Sequence, residues 1–207
     1  MANISKLLAR LLVGAALTAA PAYAGKPASV YQPSDSPGQV RGVGTESQDI
    51  ISMSDTMVRD MLTVPELLNA RTPPRVIIDA KNLHNESTEI LDKALITDRI
   101  LVGLNRAAGG RVVFLSRENL DAIQGERDLK DHGLVDSGTT GRTRAIAGGD
   151  YALVGRIGTR DAVDPSNGTK SRYSQYTFKL IDLEYGTVIW SNIYEFKKEA
   201  SDSVVYR

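Results

Sequence analysis

The chain has no cysteine among its 207 residues. That excludes disulfide staples, thiolate metal sites, a cysteine nucleophile and lipidation at a lipobox cysteine. Histidine is nearly as scarce, with two residues, His84 and His132. They lie far apart in polar loops with no HxxxH or HExxH spacing, so a zinc site lacks its correlated ligands. An excess of either charge is also missing: 25 Lys and Arg balance 25 Asp and Glu. A near-neutral chain does not present the clustered cations that nucleic-acid binding demands. Long apolar runs are absent except one, Leu11–Ala20, about half the ~20 residues a bilayer span needs.

That run sits where an export signal would place it. Lys6 and Arg10 precede or open it, and Pro21-Ala22-Tyr23-Ala24 ends it with small residues at Ala22 and Ala24. Residues 1–24 therefore read as a cleavable secretory signal peptide, which implies a periplasmic or extracellular protein. Residues 25–45 are rich in Pro, Gly and Ser and nearly devoid of aliphatics. Too little surface can be buried there to offset ordering entropy, so the segment reads as a disordered tether. The remainder, 46–207, has the composition of one globular domain.

Within that domain the hydrophobic period changes once. Ile50, Met53, Met57, Met61 and Leu62 recur at helical spacing, which predicts a helix over 47–63 with Ser47 as its N-cap. Pro65 opens a short second helix. Arg75–Asp79 (RVIID) is a β-branched run with the look of a buried strand, followed by a polar loop over 80–85. The longest helical pattern runs from Ser87 to Ala107 and stops at Gly109-Gly110. Arg111–Leu115 (RVVFL) follows as a strand, making a parallel βαβ unit, and Arg117–Lys130 reads as a more polar helix. After a short helix near 142–147 the pattern becomes period two. Tyr151–Arg160, Tyr173–Asp182 and Thr187–Lys197 are separated by the turn signals DPSNG and EYG, so they predict an antiparallel meander. The expected fold is an α/β single-domain sandwich, with helices packed on a mixed sheet of about five strands.

Candidate chemistry is thin. No GxSxG elbow occurs, and the carboxylates Glu86, Asp92, Asp121, Glu126 and Asp131 fall mainly on exposed helix faces. GTTGRTRAIAGGDY (138–151) brings glycines beside Arg142 and Arg144, but its spacing is not that of a phosphate-binding P-loop. In the meander, Arg156, Arg160, Arg172, Tyr173 and Tyr176 gather on two hairpin strands. Tyr and Arg are enriched at binding hot spots because they combine contact area with hydrogen bonding. These seven residues are the candidate partner-binding set; no catalytic, cofactor or metal site is expected.

Several long stretches resemble one family. GTESQDIISMSDTMVRDML, NESTEILDKALITDRILVGLNRAAGGRVVFLSRE, GTTGRTRAIAGGDYALVGRI and QYTFKLIDLEYGTVIWSNIYEFKKEASDSVVYR are similar to the LpoB family of penicillin-binding protein activators. The resemblance runs from about Gly44 to Arg207. It implies a domain like the N-terminal domain of TolB. The implied activity is not enzymatic: a bifunctional penicillin-binding protein is bound, and its glycan polymerisation and crosslinking are stimulated. Neither nucleic acid nor a small-molecule substrate is implied as a partner. Characterised members are outer-membrane lipoproteins with a long linker, whereas this chain lacks the lipobox cysteine and has a short tether, so the expected location is the periplasm without a lipid anchor. A second reading, a structural or secretion-associated component, follows from similarity to the curli secretion lipoprotein. A carboxylate-dependent cell-wall hydrolase is a third.

Overall fold

The structure is a computed structural model that describes residues 29, 31–38, 42–136, 138 and 145–200. The chain separates into two units, Met1–Tyr31 and Gln32–Arg207, and the second carries the fold. The signal-peptide reading lies outside the described residues, as do Arg142 and Arg144. Of the expected short helix near 142–147, residues 145–147 are described and are not helical.

Nine elements follow one another: α1 (Ser47–Met61), α2 (Pro65–Leu68), β1 (Arg75–Asn85), α3 (Lys93–Ala108), β2 (Val113–Leu115), α4 (Leu120–Asp131), β3 (Tyr151–Val163), β4 (Lys170–Asp182) and β5 (Val188–Ala200). The strands form a single five-stranded sheet in the order β2-β1-β3-β4-β5. β1 pairs in parallel with β2 and β3, while β3–β4 and β4–β5 are antiparallel. The sheet is therefore mixed, with one βαβ unit and a C-terminal meander.

α1 and α3 pack on one face of this sheet and on each other. Met53, Met57 and Met61 of α1 and Ile96, Ile100 and Leu104 of α3 are the buried stripes, each at helical spacing. They meet Val76 and Ile78 of β1, Leu153 and Ile157 of β3, and Tyr176, Phe178 and Leu180 of β4. Hydrophobic burial at this scale, about 1.5–3 kcal/mol per large side chain, is what holds the two layers together. Two glycines permit close approach, Gly155 within these layers and Gly149 at the entry to β3. A Cβ on Gly155 would lie 2.6 Å from Leu83 Cδ1 and 3.0 Å from the Phe178 ring, and one on Gly149 would lie 2.7 Å from Ile77 Cδ1.

The differences from the expected elements have local causes. β1 runs on through the polar stretch to Asn85 instead of ending at Asp79, because a register shift between Ile78 and Leu83 bulges out the intervening residues and lets Leu83–Asn85 resume pairing with β3. α3 begins at Lys93, with Asp92 as its N-cap accepting from Ala94 N–H at 2.9 Å. Ser87 instead closes a turn: its N–H and hydroxyl both bond Asn85 Oδ1, at 3.0 and 2.6 Å, and Asn85 Nδ2 donates to Glu89 O. Such side-chain bonds compete with the helix. At α1 the N-cap is Glu46, whose N–H donates to Asp49 Oδ2 at 2.7 Å, so Ser47 is the first helical residue. β2 and α4 are shorter at their starts than expected, at Val113 and Leu120. The three meander strands are longer, ending at Val163, beginning at Lys170 and extending to Ala200.

Candidate functional site

Side chains along paired strands alternate between the two sheet faces, and directly opposed residues share a face. That parity divides the meander candidates. Tyr176 is opposite Ile157, and Arg172 is opposite Asp161, all on the helix-covered face. Tyr173 is opposite Arg160, and Arg156 is opposite Thr177, on the other face.

Tyr176 is 1% exposed and is a core residue, so it presents no surface to a partner. Its ring stacks on Phe196 at 6.1 Å, and its hydroxyl lies 2.7 Å from Thr45 Oγ1. Burial pushes the Tyr176 phenol up to about 12. Arg172 is also committed internally. Its guanidinium makes a two-pronged contact with Asp161 (Nε–Oδ1 2.6 Å, Nη2–Oδ2 2.7 Å), and Nη1 donates to Glu89 Oε1 at 2.6 Å. These bonds raise the Arg172 pKa further above its ordinary value, and the Arg172 bond holds the Asp161 carboxyl below its own. Thr45 N–H donates to Glu89 Oε2 at 3.1 Å, so the same carboxylate gathers three segments. Beside it, Lys198 of β5 donates to Gly44 O at 3.0 Å and Asp49 Oδ2 at 2.6 Å. This polar cluster fastens residues 44–49 to the far end of β4 and β5. It has the partners and burial of a structural latch.

The opposite sheet face is open over the meander. Arg156 and Arg160 on β3 are exposed. Arg156 Nε reaches Glu86 Oε1 at 3.4 Å, with both side chains more than half exposed, a pair that contributes little. Arg160 has no ion-pair or hydrogen-bonding partner among the described residues. Across β4 and β5 runs a hydrogen-bonded ladder. Tyr173 OH donates to Glu195 Oε2 at 2.7 Å, Gln175 Oε1 lies 3.0 Å from the same hydroxyl, and Gln175 Nε2 donates to Thr177 Oγ1 at 3.0 Å. The Glu195 bond raises the Tyr173 pKa and leaves the phenol neutral at physiological pH. Lys179, Ser191, Ile193 and Lys197 continue the face and are exposed. Sequence reasoning did not name them, although the period-two alternation that separates them from Phe178 and Leu180 is visible in the sequence.

This face carries guanidinium, phenol and amide groups around a small aliphatic contribution from Ile193. Such a surface can bind a protein by shape and hydrogen bonding. Among the described residues, no group of three or more His, Asp or Glu is placed to hold a metal ion. Among them too, no helix is long and apolar enough to cross a membrane.

Residues 49–196 match the family described as peptidoglycan-synthase activator LpoB. Among solved structures, the LpoB C-terminal domain from Escherichia coli aligns at 17% identity and a TM-score of 0.42, over 72% of this chain and 98% of that one. The corresponding domain from Salmonella enterica aligns at 16% identity and a TM-score of 0.38, over 69% and 94%. Lipoprotein GNA1162 from Neisseria meningitidis aligns at 14% identity and a TM-score of 0.33, over 63% and 87%. No curated protein matches the chain. The family match spans well over half of the sequence and reaches from the first turn of α1 into the last strand, so the chain belongs to the LpoB family of peptidoglycan-synthase activators.

Proposed function

We propose that this protein is a non-catalytic periplasmic activator that binds a bifunctional penicillin-binding protein and raises its rates of glycan polymerisation and crosslinking. Membership in the LpoB family carries this reading, since the family is one of peptidoglycan-synthase activators. Activation requires that the active state of the synthase be bound more tightly than its resting state; a partner with equal affinity for both shifts nothing. The contact surface in this proposal is the open meander face, centred on Arg156, Arg160 and Tyr173. Arg160, exposed and unpaired among the described residues, is the best available donor for a carboxylate on the synthase.

Export through the signal at residues 1–24 delivers the protein to the compartment where the synthase's catalytic domains work. Arg142 and Arg144 belong to the same proposal as a flanking contact.

The test is a binding titration of the purified protein against a bifunctional synthase from the same organism, with Arg156→Glu/Arg160→Glu as the comparison. The double variant should bind at least ten-fold more weakly while keeping the wild-type circular dichroism spectrum and melting temperature. Equal binding by the two proteins would move the contact surface elsewhere. Failure of the wild type to bind any such synthase would remove the proposed partner.

A further inference from the structure

β5 is a thirteen-residue strand with β4 on one side and, among the described residues, no strand on the other. Hydrogen bonding alternates along an antiparallel pair. Ile193 N–H is turned away from β4 and taken up at 2.7 Å by Oδ1 of Asn192, its own neighbour. By that parity the odd residues from Ser191 to Glu199 direct their backbone groups to the free edge, and their side chains lie on the open sheet face. Edges of this length are normally blunted by proline, by bulges or by charged side chains, lysine above all. Residues 188–200 contain no proline, and the one irregularity falls at the start of the strand, between the Ile181 and Leu180 pairings.

The charges on the free edge are of both signs and alternate: Glu195, Lys197, Glu199. Their side chains are exposed, and the Lys197–Glu199 pair at 2.8 Å is about 60% exposed on each side, too solvated to compete strongly. We propose that β5 is a self-complementary edge that pairs antiparallel with β5 of a second copy about a twofold axis at Phe196. In that register Glu195 of each copy faces Lys197 of the other, twice, and both are residues whose backbone groups point outward. Shifting the axis by one residue to Glu195 or Lys197 sets like charges directly opposite, which is unfavourable. An axis at Tyr194 leaves Glu195 facing Ile193.

The other sheet face supports the same axis. Tyr194 and Phe196 are only partly buried against the core. With the axis at Phe196, the two Phe196 rings come opposite each other and cover surface that a single copy leaves wet. The ten-strand sheet so formed has a twofold-symmetric, isologous interface. One strand pair with its flanking side chains falls in the weak interface class, below ~1,200 Å² in total, so the dimer should be reversible and populated at roughly 100 µM.

The experiment is sedimentation equilibrium of the purified protein, together with Glu195→Lys and Lys197→Glu singly and mixed. Wild type should pass from monomer to dimer as concentration rises to about 100 µM. Each single variant puts like charges across the axis and should dimerise at least ten-fold more weakly. An equimolar mixture of the two variants restores every opposed pair, so it should form a heterodimer with at least wild-type affinity, identified by native mass spectrometry. A misfolded variant could not give that rescue. A wild type that stays monomeric to ~1 mM, single variants that dimerise as wild type does, or a mixture no tighter than its components would each overturn the proposal.

Discussion

Arg172 shows how one residue can look like a contact surface and serve as a fastening. Its side chain is 16% exposed, and it holds Glu89, itself 11% exposed, together with Asp161. Removing one member of a buried ion pair typically costs ~3–5 kcal/mol, and the greater exposure of Asp161 lowers that. Arg172→Met should therefore destabilise the domain by about 2–3 kcal/mol in urea melts. The pH dependence has a definite sign. Asp161 is held below its ordinary value of 3.8 by the Arg172 bond, so the unfolded chain binds its proton more readily. The stability this contributes is complete above the ordinary carboxylate range and is lost as pH falls through the depressed folded value. Arg172→Met should flatten that acid-side loss, as read from melting temperatures between pH 5 and 2. An acid limb unchanged by the substitution would show that the pair is not linked to folding. Gly155 sets the opposite kind of demand. Its missing Cβ leaves room for Leu83 and the Phe178 ring, so Gly155→Ala should cost about 1–3 kcal/mol by overpacking, measured the same way.

At the scale of elements, α1 is tied to the outer strand at both ends: Asp49 in its first turn takes Lys198, and Asp60 in its last turn takes two donors. Asp60 Oδ2 accepts from Trp190 Nε1 at 2.8 Å and from Asn192 Nδ2 at 2.7 Å. Asp60→Ala should cost about 2–4 kcal/mol, at ~1.5–3 for each bond to a charged group less the overlap between them. Trp190 is the only tryptophan, so its emission reports directly on this joint and should shift to the red. A variant with unaltered emission and stability would show that the Asp60 joint does not seat the helix. Elements were legible in the sequence where a periodic pattern ran uninterrupted. α1's methionine stripe, α3 with its Gly109 stop, both hairpins and the parallel pairing of β1 with β2 follow from spacing and turn chemistry. The extension of β1 through Lys81–Asn85 was not, because a bulge pairs residues whose polarity resembles a loop. Nor was the start of α3, where the Asn85–Ser87–Glu89 turn outcompetes a plausible N-cap at Ser87. Strand parity, present in the sequence, separates Tyr176 and Arg172 from Tyr173. What it lacks is the knowledge of which face the helices cover.

At the scale of the whole molecule, one sheet serves two different purposes on its two faces. The covered face carries the core and the latch at residues 44–49, which stabilise the domain. The open face carries exposed arginines and a tyrosine–glutamine ladder whose removal should leave that stability nearly intact. In the proposed function, a division of this kind lets the contact surface change its partner without refolding the scaffold. The family match makes the protein a member of a family of peptidoglycan-synthase activators, and in the proposed function its effect is read in the activity of another molecule. The most direct measurement is the glycan-polymerisation rate of a bifunctional synthase from the same organism, followed on lipid-linked disaccharide precursor with and without a molar excess of this protein. A rise of about five-fold or more, abolished in Arg156→Glu/Arg160→Glu but retained in Gly155→Ala below its melting temperature, is the predicted result. An unchanged rate at saturating concentration would contradict the account.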